Sequence, residues 1–409
     1  MPTYAGWRVV AALFAVLTLG SGFGFYNLTV YMNALADERG FSIAQLSFAI
    51  SLFFLAGGIF GVVVARLIER FDIRWVMTAG AILSGLALAL AGVAESETQL
   101  LWVYALFGTG NAGVSLVPMS TIVTRWFPGA NRSMALATAS TGLSTGGIIV
   151  TPLSVAMIER SGIEVALLQF GWVYPLLLLP LIWFFIRLPS AAEPSTQQST
   201  TTQAAIAQNG VTLPGWSEAQ ARTTRFFWLS TLAYFLLMGA QVGGIAHLFN
   251  RIAVLTDRGD AATAVQILAI ASISGRFFGG WLLSRISTRV WLLGNTLGQG
   301  VGMLLLAAAD STTGAWIGAL VFGLTVGNLL MLQPVVLVEA FGLHSYARIY
   351  ATANGLTTLG VASGPLLLGL LFEQGGYGVS YTVAAVISGV ALVVLLAAGP
   401  LTDGNRPPD

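Results

Sequence analysis

Marking the charged positions divides the chain into long apolar blocks separated by short polar ones. Charge-free runs cover residues 9–36, 40–65, 75–94, 98–124, 133–158 and 165–186, and after a gap 226–250, 290–309, 311–338, 349–372 and 374–402. A twelfth run, 261–284, is interrupted by Arg276 alone. Their lengths are close to the roughly 17 to 25 residues with which an α-helix crosses a bilayer. The pattern predicts an all-α membrane protein: six spanning helices, an interruption, and six more. The interruption, 188–224, is also poor in charge, but its Ser-, Thr- and Gln-rich centre has no apolar period and cannot bury enough surface to fold alone. The expected division is therefore a first bundle over 1–188, a flexible linker over 189–224 and a second bundle over 225–409.

Composition narrows the picture further. Of 409 residues 56% are apolar and only 9% charged, with a mean hydropathy of +0.81, whereas soluble chains carry about a quarter charged residues. A water-soluble enzyme and a disordered chain are excluded. Eighteen basic residues, all Arg, against 17 acidic ones leave +1 and no basic field for nucleic acid. The absence of cysteine removes disulfides, thiol nucleophiles and Cys-ligated metals; no cofactor or metal is expected. The first apolar stretch follows Arg8 with nothing resembling a cleavable signal before it, so it is expected to be retained. Arginine counting sets the orientation. With the N-terminus inside, thirteen arginines fall on the cytoplasmic side and four (Arg39, Arg160, Arg251, Arg258) on the other, which predicts cytoplasmic termini and linker in a multi-pass protein of the inner membrane.

The halves resemble each other. Arg66 to Arg74 aligns with Trp281 to Arg289 at an offset of 215, and at 213 Gly142 falls on Gly355 and Pro152 on Pro365. Two repeated six-span halves are the pattern of carriers that rock around a central site. With Gly6-Trp7 opening the first span, G-V-V-V-A-R-L-I-E-R-F-D-I-R from Gly61, R-W-F-P-G-A-N-R from Arg125, H-L-F-N-R-I from His247 and S-I-S-G-R-F-F-G-G from Ser272, the whole chain resembles the major facilitator superfamily. Within it the eighth span points to the monocarboxylate transporter and oxalate/formate exchanger branch. The loop from Gly61 departs from the superfamily's common form, which has an Asp where Ala65 or Arg66 stands; the Arg-rich variant is what the monocarboxylate branch tends to show. The resemblance implies two pseudo-symmetric six-helix bundles and a secondary transporter.

Arg276 is the residue with the sharpest chemistry. An ionised side chain at bilayer depth is costly and generally faces a bundle interior or an aqueous cavity. Arg stays charged, and its planar fork matches a carboxylate. None of the twelve runs holds an Asp or Glu to neutralise it, so a substrate carboxylate is the economical partner; bonding to helix carbonyls is the structural alternative. His247, about 21 residues into the seventh span, is the second ionisable group at depth, and His can change charge near neutral pH. The resemblance places a His here near the substrate or proton route, while a His satisfied by neighbouring hydroxyls is the plainer reading.

Polar mid-span residues form the next tier: Tyr26, Asn27, Asn111, Ser115, Gln241, Asn328 and Asn354. Such residues line transporter cavities, and interhelical hydrogen bonds explain them equally well. Some family members carry a Lys in the first or eleventh span, or an Asp one turn before the eighth-span Arg; Phe25 and Ser272 stand there instead, which argues against an acid-gated or two-cation mechanism. Gly108 to Gly113 superficially resembles a phosphate loop but follows no strand. Glu69, Arg70, Asp72 and Arg74 fall at predicted cytoplasmic helix ends, where they could latch one conformation or simply serve as solvated orientation signals. The expected activity is alternating-access transport of a small organic monocarboxylate, lactate- or pyruvate-like, by a monomer coupled to protons. A dicarboxylate or oxalate/formate-type anion exchanger is the alternative within the class, and an efflux pump for hydrophobic compounds outside it. No membrane enzyme is expected, since no nucleophile stands with a base.

Overall fold

A computed structural model describes residues 2–127, 131–189, 215–283, 285–342 and 344–400. The helices are α1 (Pro2–Gly20), a π-helical segment (Ser21–Tyr26), α2 (Asn27–Arg39), α3 (Ile43–Arg70), α4 (Ile73–Gly92), α5 (Glu97–Ala112), α6 (Leu116–Trp126) and α7 (Arg132–Phe185), then α8 (Glu218–Thr223), α9 (Arg225–Ala253), α10 (Arg258–Leu283), α11 (Thr288–Ala308), α12 (Thr312–Phe341) and α13 (Tyr346–Ala398). Helix starts follow local chemistry. Ser42, Ser96 and Ser217 form capping boxes with Gln45, Gln99 and Gln220, satisfying backbone donors that a first turn leaves open.

Among the described residues, ten helices or near-continuous helix pairs are long and apolar enough to span a membrane. Two of them, α7 with 54 residues and α13 with 53, would reach about 80 Å if straight, far beyond a hydrocarbon core of about 30 Å. Each breaks into two spans at glycine: Gly162 (φ 76°) in α7, and Gly375 with Gly376 (φ 73°) in α13. Positive φ is open to Gly and costly for residues with a Cβ. The breaks lie about one internal-repeat length apart, and dividing both helices there gives the twelve expected spans.

Two compact units result, Met1–Val211 and Thr212–Asp409. In each, the third span ends on an arginine from the end of the first. Arg39 donates from Nη2 to the Gly92 carbonyl at 2.7 Å and pairs with Glu164 at 2.6 Å. Arg251 donates to the carbonyls of Leu306 (3.0 Å), Ala307 (3.4 Å) and Ala309 (2.5 Å). Cationic donors at a helix C-terminus satisfy open carbonyls and oppose the negative end of the dipole. Two of the four arginines assigned to the outer side thus have structural duties.

Two sequence expectations change. Most of the linker lies outside the described residues, but 215–224 is built into the C-terminal unit. Trp216 is buried at 5% exposure beside Phe341 and donates its backbone N–H to the Phe341 carbonyl at 2.9 Å. Arg222 donates to Thr352 Oγ1 at 2.8 Å. Trp216 and Ala221 supply the buried surface of this segment. The alignment of Gly142 with Gly355 does not extend to packing: a Cβ at Gly142 would strike the α1 backbone at Phe14, whereas one at Gly355 meets nothing within 4 Å.

Candidate functional site

Arg276 lies on α10, which begins at Arg258. Arg276 lies about 8 Å past the midpoint of this helix, toward Leu283. Its half-buried side chain runs across Gly327 of α12. A Cβ at Gly327 would fall 2.5 Å from Arg276 Cγ and 2.6 Å from the Ser272 carbonyl oxygen. The missing Cβ is what lets an extended guanidinium stem lie between these helices.

Two other expected site residues meet the same stretch of α12. Gln241 Nε2 donates to the Val326 carbonyl at 3.4 Å, and Gln241 is 4% exposed. Asn328 donates to the Leu324 carbonyl one turn back at 2.9 Å, and its side chain rests on Gly279 of α10. Residues 326–328 therefore gather Gln241, Arg276 and Asn328. The Gly275–Gly279 pair provides the close approach that small-residue spacing allows. Asn354 stands on α13, where its Oδ1 accepts from Tyr350 at 3.5 Å.

His247 is fully buried elsewhere in the C-terminal unit. Its Nε2 is 3.0 Å from the Pro365 carbonyl and its ring centroid is 5.8 Å from that of Tyr377. A carbonyl can only accept, so Nε2 carries the proton.

In the N-terminal unit, Asn111 packs its amide against Gly24 inside the π-helical segment. Asn27 is fully buried and donates to Ser154 Oγ at 2.6 Å, while the Tyr26 ring lies against Gly147. Ser115 caps α6, accepting from the Val117 N–H at 3.4 Å, where the fourth span breaks. Sequence reasoning missed both the π segment and this break; the glycines from Gly108 to Gly113 and the capping serine carry the signal. Single π turns recur at functional sites in helices. Glu69 and Arg70 are exposed. Asp72 caps α4 by accepting from the Arg74 N–H at 2.9 Å, and Arg74 Nε donates to the Ile186 carbonyl at 2.6 Å.

The sequence profile of the Major Facilitator Superfamily matches residues 13–362. The chain belongs to the major facilitator superfamily. Among curated members it is 26% identical to the uncharacterized MFS-type transporter YhjX of Escherichia coli, over 88% of this chain and 85% of that one. It is 26% identical to monocarboxylate transporter 13 of Rattus norvegicus, over 95% and 86%, and 27% identical to the oxalate:formate antiporter of Oxalobacter formigenes, over 62% and 56%. A bacterial homolog of the human lysosomal transporter Spinster shares the fold, with a TM-score of 0.72 at 15% identity and 96% of both chains covered. The superfamily fold makes this a multi-pass transporter.

Proposed function

We propose that this facilitator-superfamily chain carries a small organic monocarboxylate by alternating access, with Arg276 as the carboxylate's partner and a proton as the coupling ion. The observation that supports this most is the setting of Arg276: a permanent cation on an apolar helix, given passage by Gly327, with the amides of Gln241 and Asn328 on the same stretch of α12. A carboxylate would neutralise the guanidinium through two parallel hydrogen bonds, and the neighbouring amides would take up its remaining lone pairs. Similarity to monocarboxylate transporter 13 points the same way.

Coupling in this reading falls to His247, because Arg does not titrate and the charge-free apolar runs hold no carboxylate. Glu69, Arg70, Asp72 and Arg74 would serve the conformational change through the ends of α3 and α4. The arginine distribution favours cytoplasmic termini in the inner membrane. Similarity to the oxalate:formate antiporter favours a second reading, anion exchange. Uptake of labelled mono- and dicarboxylates into proteoliposomes separates the two. The proposal expects a monocarboxylate to accumulate under an inward proton gradient without an internal counter-anion; an absolute need for a preloaded anion would favour exchange.

A further inference from the structure

A cleft between α9, α12 and α13 is lined by Ser230, Thr231 and Tyr234 from the first, Gln333, Val336 and Leu337 from the second, and Ala353 from the third. Thr231 is 3% exposed and Tyr234 2%, and neither side-chain oxygen has a hydrogen-bond partner among the described residues. Gln333 turns its amide to Thr357 Oγ1 at 2.9 Å.

A buried donor left unpaired is costly, whereas Phe or Val would fill the same volumes with no polar group to satisfy. Two such hydroxyls on one face of α9, spaced i and i+3, line the same cleft as a third polar group, Gln333 on α12. Gln333 lies six residues, about 9 Å along the helix, from Gly327, where Arg276 crosses. Tyr234 stands at a similar distance from Gln241 on α9, so the cleft continues the polar seam toward the Arg225 and Phe341 ends.

We propose that Thr231, Tyr234 and Gln333 form a second binding subsite in the C-terminal unit, one that takes an uncharged oxygen-bearing substituent of the carried carboxylate; this rests on Arg276 being the carboxylate's partner. Hydroxyls and an amide supply donors and acceptors without charge, which suits a hydroxyl or keto oxygen and not a second carboxylate. The cleft is closed around its own hydroxyls in this state and receives the substituent when α9 and α12 separate.

The test is proteoliposome uptake of two acid pairs, propionate with 2-hydroxypropionate and hexanoate with 6-hydroxyhexanoate, by the wild type and by Tyr234→Phe, Thr231→Val and their double variant. The expected result is a preference of about tenfold in kcat/KM for the hydroxylated member of at least one pair, worth about 1.4 kcal/mol, falling to about twofold or less in the double variant. Folding of each variant is checked by its thermal unfolding in detergent and its incorporation into the vesicles; if the double variant does not reconstitute, the single variants carry the same comparison. A variant that keeps the wild-type preference, or a wild type that prefers neither hydroxylated acid, overturns the proposal. Uptake of all four acids that is insensitive to Arg276→Lys would instead overturn the reading of Arg276, an outcome separate from a loss of preference alone.

Discussion

The arrangement around Arg276 depends on an absence. Gly327 leaves open the volume through which the arginine side chain passes, and an added methyl would overlap its Cγ and the Ser272 carbonyl oxygen. Gly327→Ala should therefore displace the guanidinium and lower carboxylate uptake by about tenfold, roughly 1.4 kcal/mol. Gly280→Ala, on the same helix as Arg276 but with nothing within 4 Å of the added carbon, should transport normally. Equal uptake by the two variants would mean that the path past Gly327 is immaterial to binding. Arg276 itself was legible in the sequence, because a lone charge in a long apolar run is conspicuous. Gly327 was not: among 48 glycines nothing in the sequence marks the one that an arginine from another helix crosses.

Helices and their ends were legible to different degrees. Runs free of charge located the spans, since a bilayer-length helix must exclude charge along most of its length. Glycine breaks inside α7 and α13 coincide with the short charged gaps near Glu159 to Glu164 and at Glu373, so the division into twelve was readable. The π segment at Ser21–Tyr26 and the break before Ser115 were not, because backbone irregularity within an apolar run leaves hydropathy unchanged. The end of the linker was misjudged for a related reason. Trp216 lies in a stretch without apolar period, yet its indole packs on Phe341 in the core of the C-terminal unit and, with the Arg222–Thr352 hydrogen bond, docks the segment 215–224. Large-to-small substitution at buried aromatic sites costs about 3–5 kcal/mol. Trp216→Ala should accordingly lower the unfolding temperature of the detergent-solubilised protein by several degrees, whereas an unchanged transition would show that the docked segment adds nothing to the C-terminal unit.

At the scale of the whole molecule the question is energy coupling. A carboxylate on Arg276 leaves the loaded site near neutral, and the empty site retains a cation. Accumulation driven by protons then needs a second group that changes charge, and His247 is the candidate. With Nε2 donating to Pro365, Nδ1 would take the proton in this reading. His247→Asn should preserve counterflow exchange of labelled for unlabelled acid while abolishing accumulation under an inward proton gradient. Continued accumulation would assign His247 a structural role and leave the proton to travel on the acid itself. The central claim, that Arg276 binds the substrate carboxylate as a planar fork, is tested most directly by monocarboxylate uptake in proteoliposomes bearing Arg276→Lys at matched incorporation. Lysine keeps the charge but loses the fork, so the account predicts a loss of about tenfold or more; uptake within about twofold of the wild type would contradict it.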